Sequence, residues 1–331
     1  MIIRSKAYAR AALIGNPSDG YFGKTISFTF DNFFAEVTLY ETPELEILPT
    51  ERDSSCFAGI DELAEDVRLF GYYGGIRLLK AAIKTFHDYT HTHGIVHDKR
   101  NFTVRCKSNI PNLVGLAGSS AIITACYRAL MTFYGITIPK QELANIIRDT
   151  EQKELGISAG LQDRVIQVYQ GLVYMNFDKE LIEKQGYGNY VPLDTSRLPN
   201  LYIAYRTDLS EISDVFHNNI RARFNAGDKT ILDAMKFWGD ITEEALACLN
   251  NGNFDELSRL MNANFDRRAS IYKISDGNLR MVEVARACGA CAKSTGSGGA
   301  IVGIYKDAKT YSKLVDELAK ISVEVFKPNI I

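Results

Sequence analysis

The 331-residue chain lacks several features that would assign it to a specialised class of protein. Its 38 Lys and Arg residues nearly balance its 40 Asp and Glu residues, and a net charge of −2 gives no overall basic field for nucleic acid or an anionic membrane. No apolar run reaches the roughly 18 residues of a membrane helix. No low-complexity stretch or fixed-period repeat stands out. The composition, 46% hydrophobic and 24% charged, is ordinary for a globular protein that is long enough for two cores.

Cysteines are few and scattered, and the opening segment lacks a signal-peptide core. Of the six cysteines, Cys106 lies in a predicted strand, while Cys126 and Cys248 lie in predicted helices. This distribution is typical of buried free thiols in a reducing compartment. Residues 1–15 predict a first strand instead of a targeting segment. We expect a cytoplasmic monomer or homodimer that binds a small molecule, with no nucleic acid or membrane partner.

Gly23-Lys24-Thr25 matches the end of the Walker A phosphate loop, G-x-x-x-x-G-K-[ST], but the first Gly of that motif is replaced by Ser18. The motif also needs a helix after its Lys. The runs 26–30 and 35–40 instead alternate and are rich in β-branched and aromatic residues, which predicts strands. Any nucleotide is therefore expected to bind elsewhere.

Hydrophobic periodicity and Gly/Pro breaks predict an α+β protein with strands in residues 1–40 and three or four helices in 211–290. A helix is predicted to begin at Ser119 as its N-cap and to end at Gly135. Its predicted buried positions are Ile122, Ile123, Cys126, Leu130 and Phe133. Further predictions are helices over 74–94 and about 139–154, a strand that runs into a loop over 101–111, and strands at 300–305 and 323–326. A break near 180–197 divides the chain into domains 1–190 and 191–331.

The most specific local pattern is a glycine-containing loop that leads into a helix. Two glycines permit a tight backbone and two hydroxyls follow, so the helix N-terminus is suited to phosphate and the second hydroxyl to Mg²⁺. An ordinary loop with a Ser cap would have the same pattern. The residues are Gly115, Leu116, Ala117, Gly118, Ser119, Ser120 and Ala121.

Three further motifs could carry chemistry. A glycine loop that contains Gly296 and Ser297 precedes a predicted strand, where it would let another backbone approach closely. Asp163 follows small residues and precedes a cation, and it could accept a proton from a substrate hydroxyl, although Asp–Arg neighbours are usually surface features. Arg10 lies on the first strand, and polar groups for sugar hydroxyls follow at Asn16, Ser18 and Asp19.

These four motifs, in this order, resemble those of the GHMP kinase superfamily, which includes galactokinase, homoserine kinase, mevalonate kinase and phosphomevalonate kinase. The matching segments are YARAALIGNPSDGY, VGLAGSSA, GLQDR and KSTGSGGA. The resemblance implies a ribosomal-S5-like N-terminal domain and a ferredoxin-like C-terminal domain. It also implies ATP phosphates over the loop Gly115–Ala121.

The segments GNPSDGYFGKTISF, YYGGIRLLKA, KELGISAGLQDRVIQVYQGLVYM, RMVEVAR and TGSGGA are similar to those of the glucuronokinase family within that superfamily. This similarity implies a sugar 1-kinase that makes glucuronate 1-phosphate from glucuronate and ATP. It implies Asp163 as the catalytic base with Arg10 beside the reacting centre. Asn16, Asp19, Gly296 and Ser297 are the expected substrate contacts.

The resemblance also implies a Mg²⁺ site at Ser120 and a glutamate, which in relatives lies eleven or twelve positions before the catalytic Asp. That window holds Glu151 and Gln152. The closest alignment puts Gln152 in the glutamate's place. Either Glu151 takes the role after a slight helix shift, or Ser120 and water hold the metal alone. A further departure is Ala9, where relatives have Pro.

A uronate requires a cation for its carboxylate, and a bidentate Arg meets that need best. Lys24, Arg77 and Arg164 are the candidates in the sequence. We hypothesise that Lys24 faces the sugar instead of ATP, which would make the Walker A likeness a coincidence.

Alternative interpretations remain open. The chain could phosphorylate galacturonate, arabinose, galactose or a heptose, or it could be a silent sugar sensor, although a sensor need not keep Asp163. His87 and His91 are spaced for zinc, with His93 and His97 following, but no HExxH motif is present. Cys288 and Cys291 form a CxxC pair without a thioredoxin-like context, so a redox role is not expected.

Overall fold

The computed structural model of the protein describes residues 1–49, 75–208 and 217–331. The strands in these ranges are β1 Ile2–Ile14, β2 Lys24–Thr42, β3 Glu46–Ile47, β4 Asn101–Ser108, β5 Leu172–Asn176, β6 Asn189–Leu193, β7 Leu201–Arg206, β8 Lys293–Ser294, β9 Ala300–Ile304 and β10 Val323–Phe326. The helices are α1 Gly75–Thr92, α2 Gly118–Tyr134, α3 Lys140–Asp149, α4 Gln162–Tyr169, α5 Lys179–Gln185, α6 His217–Asn225, α7 Lys229–Asn251, α8 Phe254–Ala269, α9 Asp276–Ala287 and α10 Ala308–Ala319. Most of the YYGG motif lies outside the described residues.

The chain forms two compact units, each assembled from several segments. The first unit contains residues 1–9, 33–110 and 118–159, and the second contains residues 10–32, 111–117 and 160–331. The boundary that the sequence suggests, between 1–190 and 191–331, falls within β6 and stays a prediction. The mixture of helices and sheets agrees with the predicted α+β class.

In the first unit, the later part of β2 pairs antiparallel with β4, from Ala35 opposite Ser108 to Thr42 opposite Asn101. The short strand β3 pairs parallel with β4. Helices α1 and α2 pack against each other, and the rings of Phe86 and Tyr127 lie 5.9 Å apart. This packing agrees with the expectation that α1 belongs to the core.

Helix α2 is mostly as predicted, with two corrections. Four of the five predicted core positions are buried, but Ile122 is only half-buried. The helix begins at Gly118, so Ser119 lies in the first turn and is not the N-cap. Its hydroxyl donates a hydrogen bond to a glutamate instead. At the other end, Gly135 has the left-handed φ of +66° and ends the helix as predicted.

In the second unit, β10, β7, β9 and β8 form an antiparallel sheet in that order. Helices α8, α9 and α10 pack against its strands or against one another, around Tyr202, Met281 and Leu314, which are fully buried. The predicted strands at 300–305 and 323–326 are confirmed as β9 and β10, with α10 between them. Four helices, α6 to α9, occupy the region of 211–290 that the structure describes.

The predicted strands at 26–30 and 35–40 are in fact one strand, β2, which begins at Lys24. In the second unit its first part pairs with β5, from Lys24 opposite Asn176 to Phe28 opposite Leu172. Since Gly23-Lys24-Thr25 leads into a strand and Thr25 is fully buried, the rejection of a Walker A loop is confirmed.

Five cysteines are free and buried in the part of the chain that the structure describes: Cys106, Cys126, Cys248, Cys288 and Cys291. Within the same residues, no helix combines the length and apolar character needed to cross a membrane.

Candidate active site

The second unit brings Arg10 and Asp163 together. Arg10 Nε donates to Asp163 Oδ1 at 2.6 Å, and Arg10 Nη2 donates to Asp163 Oδ2 at 2.7 Å. These two parallel bonds form a bidentate pair, the strongest geometry available to an Arg and a carboxylate. Arg10 is 3% exposed, whereas the side chain of Asp163 is 19% exposed. The carboxylate is therefore the open member of the pair.

Burial would raise the pKa of the Asp163 carboxyl, but the charge and hydrogen bonds of Arg10 outweigh it and lower this pKa to about 2. Arg164 adds to the effect, with Nη1 lying 3.5 Å from Asp163 Oδ2. Asp163 is consequently ionised at neutral pH. A carboxylate of this kind orients a hydroxyl strongly and accepts its proton only weakly.

A second carboxylate, Asp19, lies close by in an opposite electrostatic environment. Burial raises its pKa to about 6, and the negative charge of Asp163 adds to the rise. Its Oδ2 accepts a hydrogen bond from the backbone of Gln162 at 3.3 Å. A Cβ placed on Gly160 would lie 2.1 Å from the same oxygen, so a side chain there would force the Asp19 carboxylate to move. Two carboxylates whose pKa values are pushed apart are typical of an acid–base site.

The glycine loop 296–299 packs closely against the segment that precedes α2, as its sequence predicted. A Cβ on Gly296 would lie 2.6 Å from the carbonyl oxygen of Gly115 and 2.7 Å from Arg10 Nη2. A Cβ on Gly115 would lie 2.7 Å from the carbonyl oxygen of Gly298. The glycines thus permit a backbone contact that any side chain would prevent.

Arg10 also holds these loops together. Its Nη1 donates to the carbonyl oxygens of Gly115 at 2.6 Å and of Thr295 at 3.1 Å. On the other side of the glycine loop, Arg268 donates to the carbonyl oxygens of Gly296 at 2.7 Å and of Ser297 at 3.1 Å. One guanidinium therefore positions the Asp163 carboxylate and both loops.

Lys293 supports the same region from within the core. It is 1% exposed, and its Nζ donates to the carbonyl oxygens of Ala12 at 2.8 Å and of Ser294 at 2.7 Å. Burial lowers the pKa of Lys293 well below its usual value, and the nearby charges of Arg268 and Arg10 lower it further. The two carbonyl acceptors satisfy N–H donors of this buried amine.

The predicted phosphate-binding loop begins with Gly115–Ala117 of the second unit and continues along the chain into α2 of the first unit. Ala117 has the left-handed φ of +65°, and α2 begins at the next residue. Ser119 Oγ donates to Glu151 Oε1 at 2.7 Å, and Ser120 is 1% exposed. A carboxylate and hydroxyls at a helix N-terminus are donors that suit Mg²⁺ bound to phosphate.

The backbone separates Glu151 from Gln152. Residues Thr150–Glu154 form a π-helical turn, in which one extra residue shifts the helical register. Glu151 is completely buried, whereas Gln152 is exposed and donates to the carbonyl oxygen of Ala159. The turn therefore places the Glu151 carboxylate beside Ser119 and the Gln152 amide on the surface, while the choice between them as a metal ligand stays a prediction.

The three candidate cations for a uronate carboxylate differ in their surroundings. Lys24 Nζ is 2.6 Å from Glu243 Oε1, which also accepts from Tyr174 at 2.6 Å. Arg164 is buried and donates to the carbonyl oxygen of Gly160 at 3.0 Å. In the first unit, Arg77 donates to the carbonyl oxygen of Leu155 at 2.8 Å. The role assigned to Lys24 stays a prediction.

Asn16 is 4% exposed and lies at the end of β1. Its backbone oxygen accepts from Asn264 at 3.0 Å, and its side-chain amide donates weakly to the carbonyl oxygen of Ser294. Among the described residues its Oδ1 has no hydrogen-bond partner. A ligand hydroxyl would satisfy this acceptor, so the geometry is compatible with the predicted sugar contact.

The histidines and the CxxC pair occupy ordinary structural positions. His87 and His91 stack on the exposed side of α1, and His97 packs on Tyr134. Within the described ranges, no group of three or more His, Cys, Asp or Glu side chains is arranged to hold a metal ion. Cys291 Sγ accepts a hydrogen bond from the backbone of a neighbouring strand, which gives that thiol a packing role.

Sequence reasoning missed Arg268, Thr295 and Gln162, all of which support the Arg10–Asp163 pair or its loops. Gln162 Nε2 lies 3.4 Å from Asp163 Oδ1. Thr295 and Gln162 lie within two of the four sequence motifs, so their position in those motifs could have marked them as site residues. Arg268 lies on α8, far along the chain, and no local pattern marked it.

Comparison with known proteins shows which family the chain belongs to. The profile described as GHMP kinases N terminal domain matches residues 77–171, and the profile described as GHMP kinases C terminal matches residues 245–322. Glucuronokinase 1 from Arabidopsis thaliana is 43% identical over 321 residues, which cover 95% of this chain and 88% of that protein. Probable glucuronokinase 2 from the same plant is 42% identical over 335 residues, covering 99% and 91%.

Among solved structures, Lactococcus lactis galactokinase complexed with galactose superimposes with a TM-score of 0.75 at 14% identity, covering 99% of this chain and 93% of that one. This likeness concerns the fold alone. The chain belongs to the GHMP kinases and, within them, to the family of its plant glucuronokinase relatives. The predicted kinase fold and class of enzyme are therefore confirmed.

Proposed function

We propose that the protein phosphorylates D-glucuronate at its anomeric hydroxyl with ATP, giving glucuronate 1-phosphate and ADP. The observation that carries this proposal is the 43% identity to a glucuronokinase across 95% of the chain. The Arg10–Asp163 pair supports it, because a catalytically silent sugar sensor would not need an ionised carboxylate held in this way. ATP is the phosphoryl donor expected of a GHMP kinase.

In the proposed reaction, the anomeric oxygen attacks the γ-phosphorus, the bond to the β,γ-bridging oxygen breaks, and ADP leaves. The hydroxyl proton passes to Asp163 as the new O–P bond forms. A weak base suffices because an anomeric hydroxyl is more acidic than an ordinary alcohol and because phosphoryl transfer depends mainly on positioning and charge neutralisation. Arg10 fixes the orientation of the carboxylate through its two bonds.

We assign the loop residues Gly115–Ala121 to the phosphates of ATP, and Ser120 and Glu151 to a Mg²⁺ ion. The fit rests on the donor set, since Glu151 is buried beside the first turn of α2 and carboxylate and hydroxyl oxygens suit this ion. When bound, Mg²⁺ would neutralise phosphate charge. Asn16, Asp19, Gly296 and Ser297 are proposed to contact the sugar.

We also propose that the enzyme works in the cytoplasm as a monomer or homodimer. The five buried free thiols of the described residues support a reducing compartment. The experiment that tests the function is an ADP-release assay with glucuronate, galacturonate, glucose, galactose, arabinose and a heptose. Glucuronate should give the highest kcat/KM, and turnover restricted to a neutral sugar would reject the uronate assignment while keeping the kinase.

A further inference from the structure

Helix α6 carries a cation to the sugar-binding motif, at a place that the sequence did not reveal. Arg221 and Phe224 are three residues apart and therefore lie on one face of the helix. Both contact Tyr21, with the Arg221 guanidinium 4.2 Å from the ring centroid and the ring of Phe224 at 5.0 Å. Tyr21 is 7% exposed, so this contact fixes the helix to the end of the motif that begins at Asn16.

The guanidinium of Arg221 lies directly beside the backbone of that motif. Its Nη1 donates to the carbonyl oxygen of Gly20 at 2.6 Å. A Cβ on Gly20 would lie 3.1 Å from Arg221 Nη2, so the glycine leaves room for this approach. The preceding residue is Asp19, whose carboxylate contacts the backbone next to Asp163. The backbone carbonyl that Arg221 contacts thus belongs to the residue that follows the proposed sugar contact.

Several other cations of the second unit are already engaged. Arg10 is bonded to Asp163, Lys24 to Glu243, and Arg268 to the carbonyl oxygens of the glycine loop. Arg221 differs from them because it is exposed and, among residues the structure describes, forms no ion pair with an Asp or Glu side chain. A guanidinium has five N–H donors, and the bond to Gly20 uses one of them.

We propose that Arg221 binds the carboxylate of the uronate substrate and so determines the preference for a uronic acid over a neutral sugar. This inference rests on the proposed function. The guanidinium is held over the Tyr21 ring and by the Gly20 bond, and a planar guanidinium with further N–H donors can bind a carboxylate in bidentate geometry. A neutral sugar offers hydroxyls that cannot neutralise the cation, so its affinity gains nothing from the charge.

A bond between Arg221 and the uronate carboxylate would also offset the repulsion of that carboxylate by the acidic side chains of the site. A uronate carboxylate would approach a region that already contains the carboxylates of Asp19 and Asp163. Arg10 and Arg164 are turned towards Asp163, and their charge is shared with it. Arg221, bonded to the Gly20 backbone, would supply the additional positive charge that an anionic sugar needs.

The test compares Arg221→Met, Arg221→Lys and the control Arg223→Met with the wild-type chain. Arg223 lies two positions along the same helix and pairs with Asp228 at 2.7 Å. Charge-assisted hydrogen bonds contribute about 1.5–3 kcal/mol, so Arg221→Met should raise the KM for glucuronate roughly tenfold to a hundredfold. The KM for ATP and the Kd for glucose, measured by calorimetry, should stay unchanged. Arg221→Lys should recover part of the affinity, and Arg223→Met should behave as wild type.

An unchanged KM for glucuronate in a folded Arg221→Met variant would overturn the inference, as would equal rises for glucuronate and ATP. If Arg164→Met or Lys24→Met raised this KM while Arg221→Met did not, the carboxylate would be bound elsewhere. A wild-type chain that phosphorylates neutral sugars and does not bind glucuronate would instead refute the proposed function, and the role of Arg221 with it.

Discussion

Arg10 and Asp163 are joined by two parallel hydrogen bonds of 2.6 and 2.7 Å, although 153 positions separate them in the chain. The pair holds the carboxylate ionised while leaving it partly exposed. Arg10 also donates hydrogen bonds to the carbonyl oxygens of Gly115 and Thr295. One guanidinium therefore holds the proposed catalytic carboxylate and two loops. Catalysis and local stability should therefore respond together when the pair is broken.

Asp163→Asn should lower kcat by about 10²- to 10⁴-fold, the usual contribution of a positioned proton acceptor. It should also lower the free energy of unfolding by about 3 kcal/mol, because Arg10 is left buried without its counter-charge. Asp266→Asn is the control, since it removes one member of a more exposed ion pair with Arg286 and should cost under about 1 kcal/mol. Steady-state kinetics and urea unfolding measure both effects. Unaltered turnover in Asp163→Asn would contradict the mechanism.

Glu151→Gln should raise the Mg²⁺ concentration for half-maximal activity by roughly tenfold or more, because an amide replaces a buried anionic ligand. Gln152→Ala should leave it unchanged, since Gln152 is exposed. Thermal stabilisation by Mg²⁺ and a non-hydrolysable ATP analogue gives a second measurement. The opposite ranking of the two variants would place the metal ligand at Gln152.

Asp19 should make the stability depend on pH. Its folded pKa of about 6 exceeds the model-peptide value of 3.8, so the folded state retains a proton that the unfolded chain releases between these values. The stabilising contribution of the protonated form is complete below about pH 4 and is lost as pH rises through 6. Asp19→Asn, which mimics that form, should add about 1–3 kcal/mol of stability at pH 8 and nothing at pH 3.5.

Asp163 contributes with the opposite sign, because its folded pKa lies below its unfolded value. Its stabilisation is present above about pH 4 and is lost as pH falls towards 2. Urea unfolding of the wild type and of Asp19→Asn at several pH values separates the two groups. A gain for Asp19→Asn that did not change with pH would contradict the raised pKa.

Gly296→Ala should destabilise the protein by about 1–3 kcal/mol and reduce kcat, because the added Cβ would clash with Gly115 and Arg10. Gly239→Ala is the matched control. Gly239 lies inside α7, and apart from its chain neighbours and the helix's own backbone no atom lies within 4 Å of its added Cβ, so this change should be neutral or stabilise by up to about 1 kcal/mol. Equal effects of the two substitutions would show that the loop contact is not tight.

Local patterns in the sequence predicted most of the helices and the strands β9 and β10, but not α5 and β6, which lie largely within the predicted break at 180–197. They did not separate Glu151 from Gln152, because the choice depends on a π-helical turn that shifts the register by one residue. They also divided β2 in two, since Asp31 and Asn32 interrupt its apolar alternation although the strand continues through them.

Partners that are distant in sequence were harder to predict. Nothing around Arg221 or Arg268 marks them as neighbours of Tyr21 and Gly296, because tertiary packing alone creates these contacts. Likewise, no local sequence pattern indicated that Glu243 would form an ion pair with Lys24. The resemblance to GHMP kinases supplied the link between Arg10 and Asp163 that periodicity could not.

The central claim is that this chain transfers the γ-phosphoryl group of ATP to the anomeric oxygen of glucuronate. The most direct test is ³¹P NMR of the product after incubation with ATP, Mg²⁺ and glucuronate. The account predicts a phosphate signal coupled to the anomeric proton, together with stoichiometric ADP. A phosphate on another hydroxyl, or no sugar phosphate while a neutral sugar is phosphorylated, would contradict it.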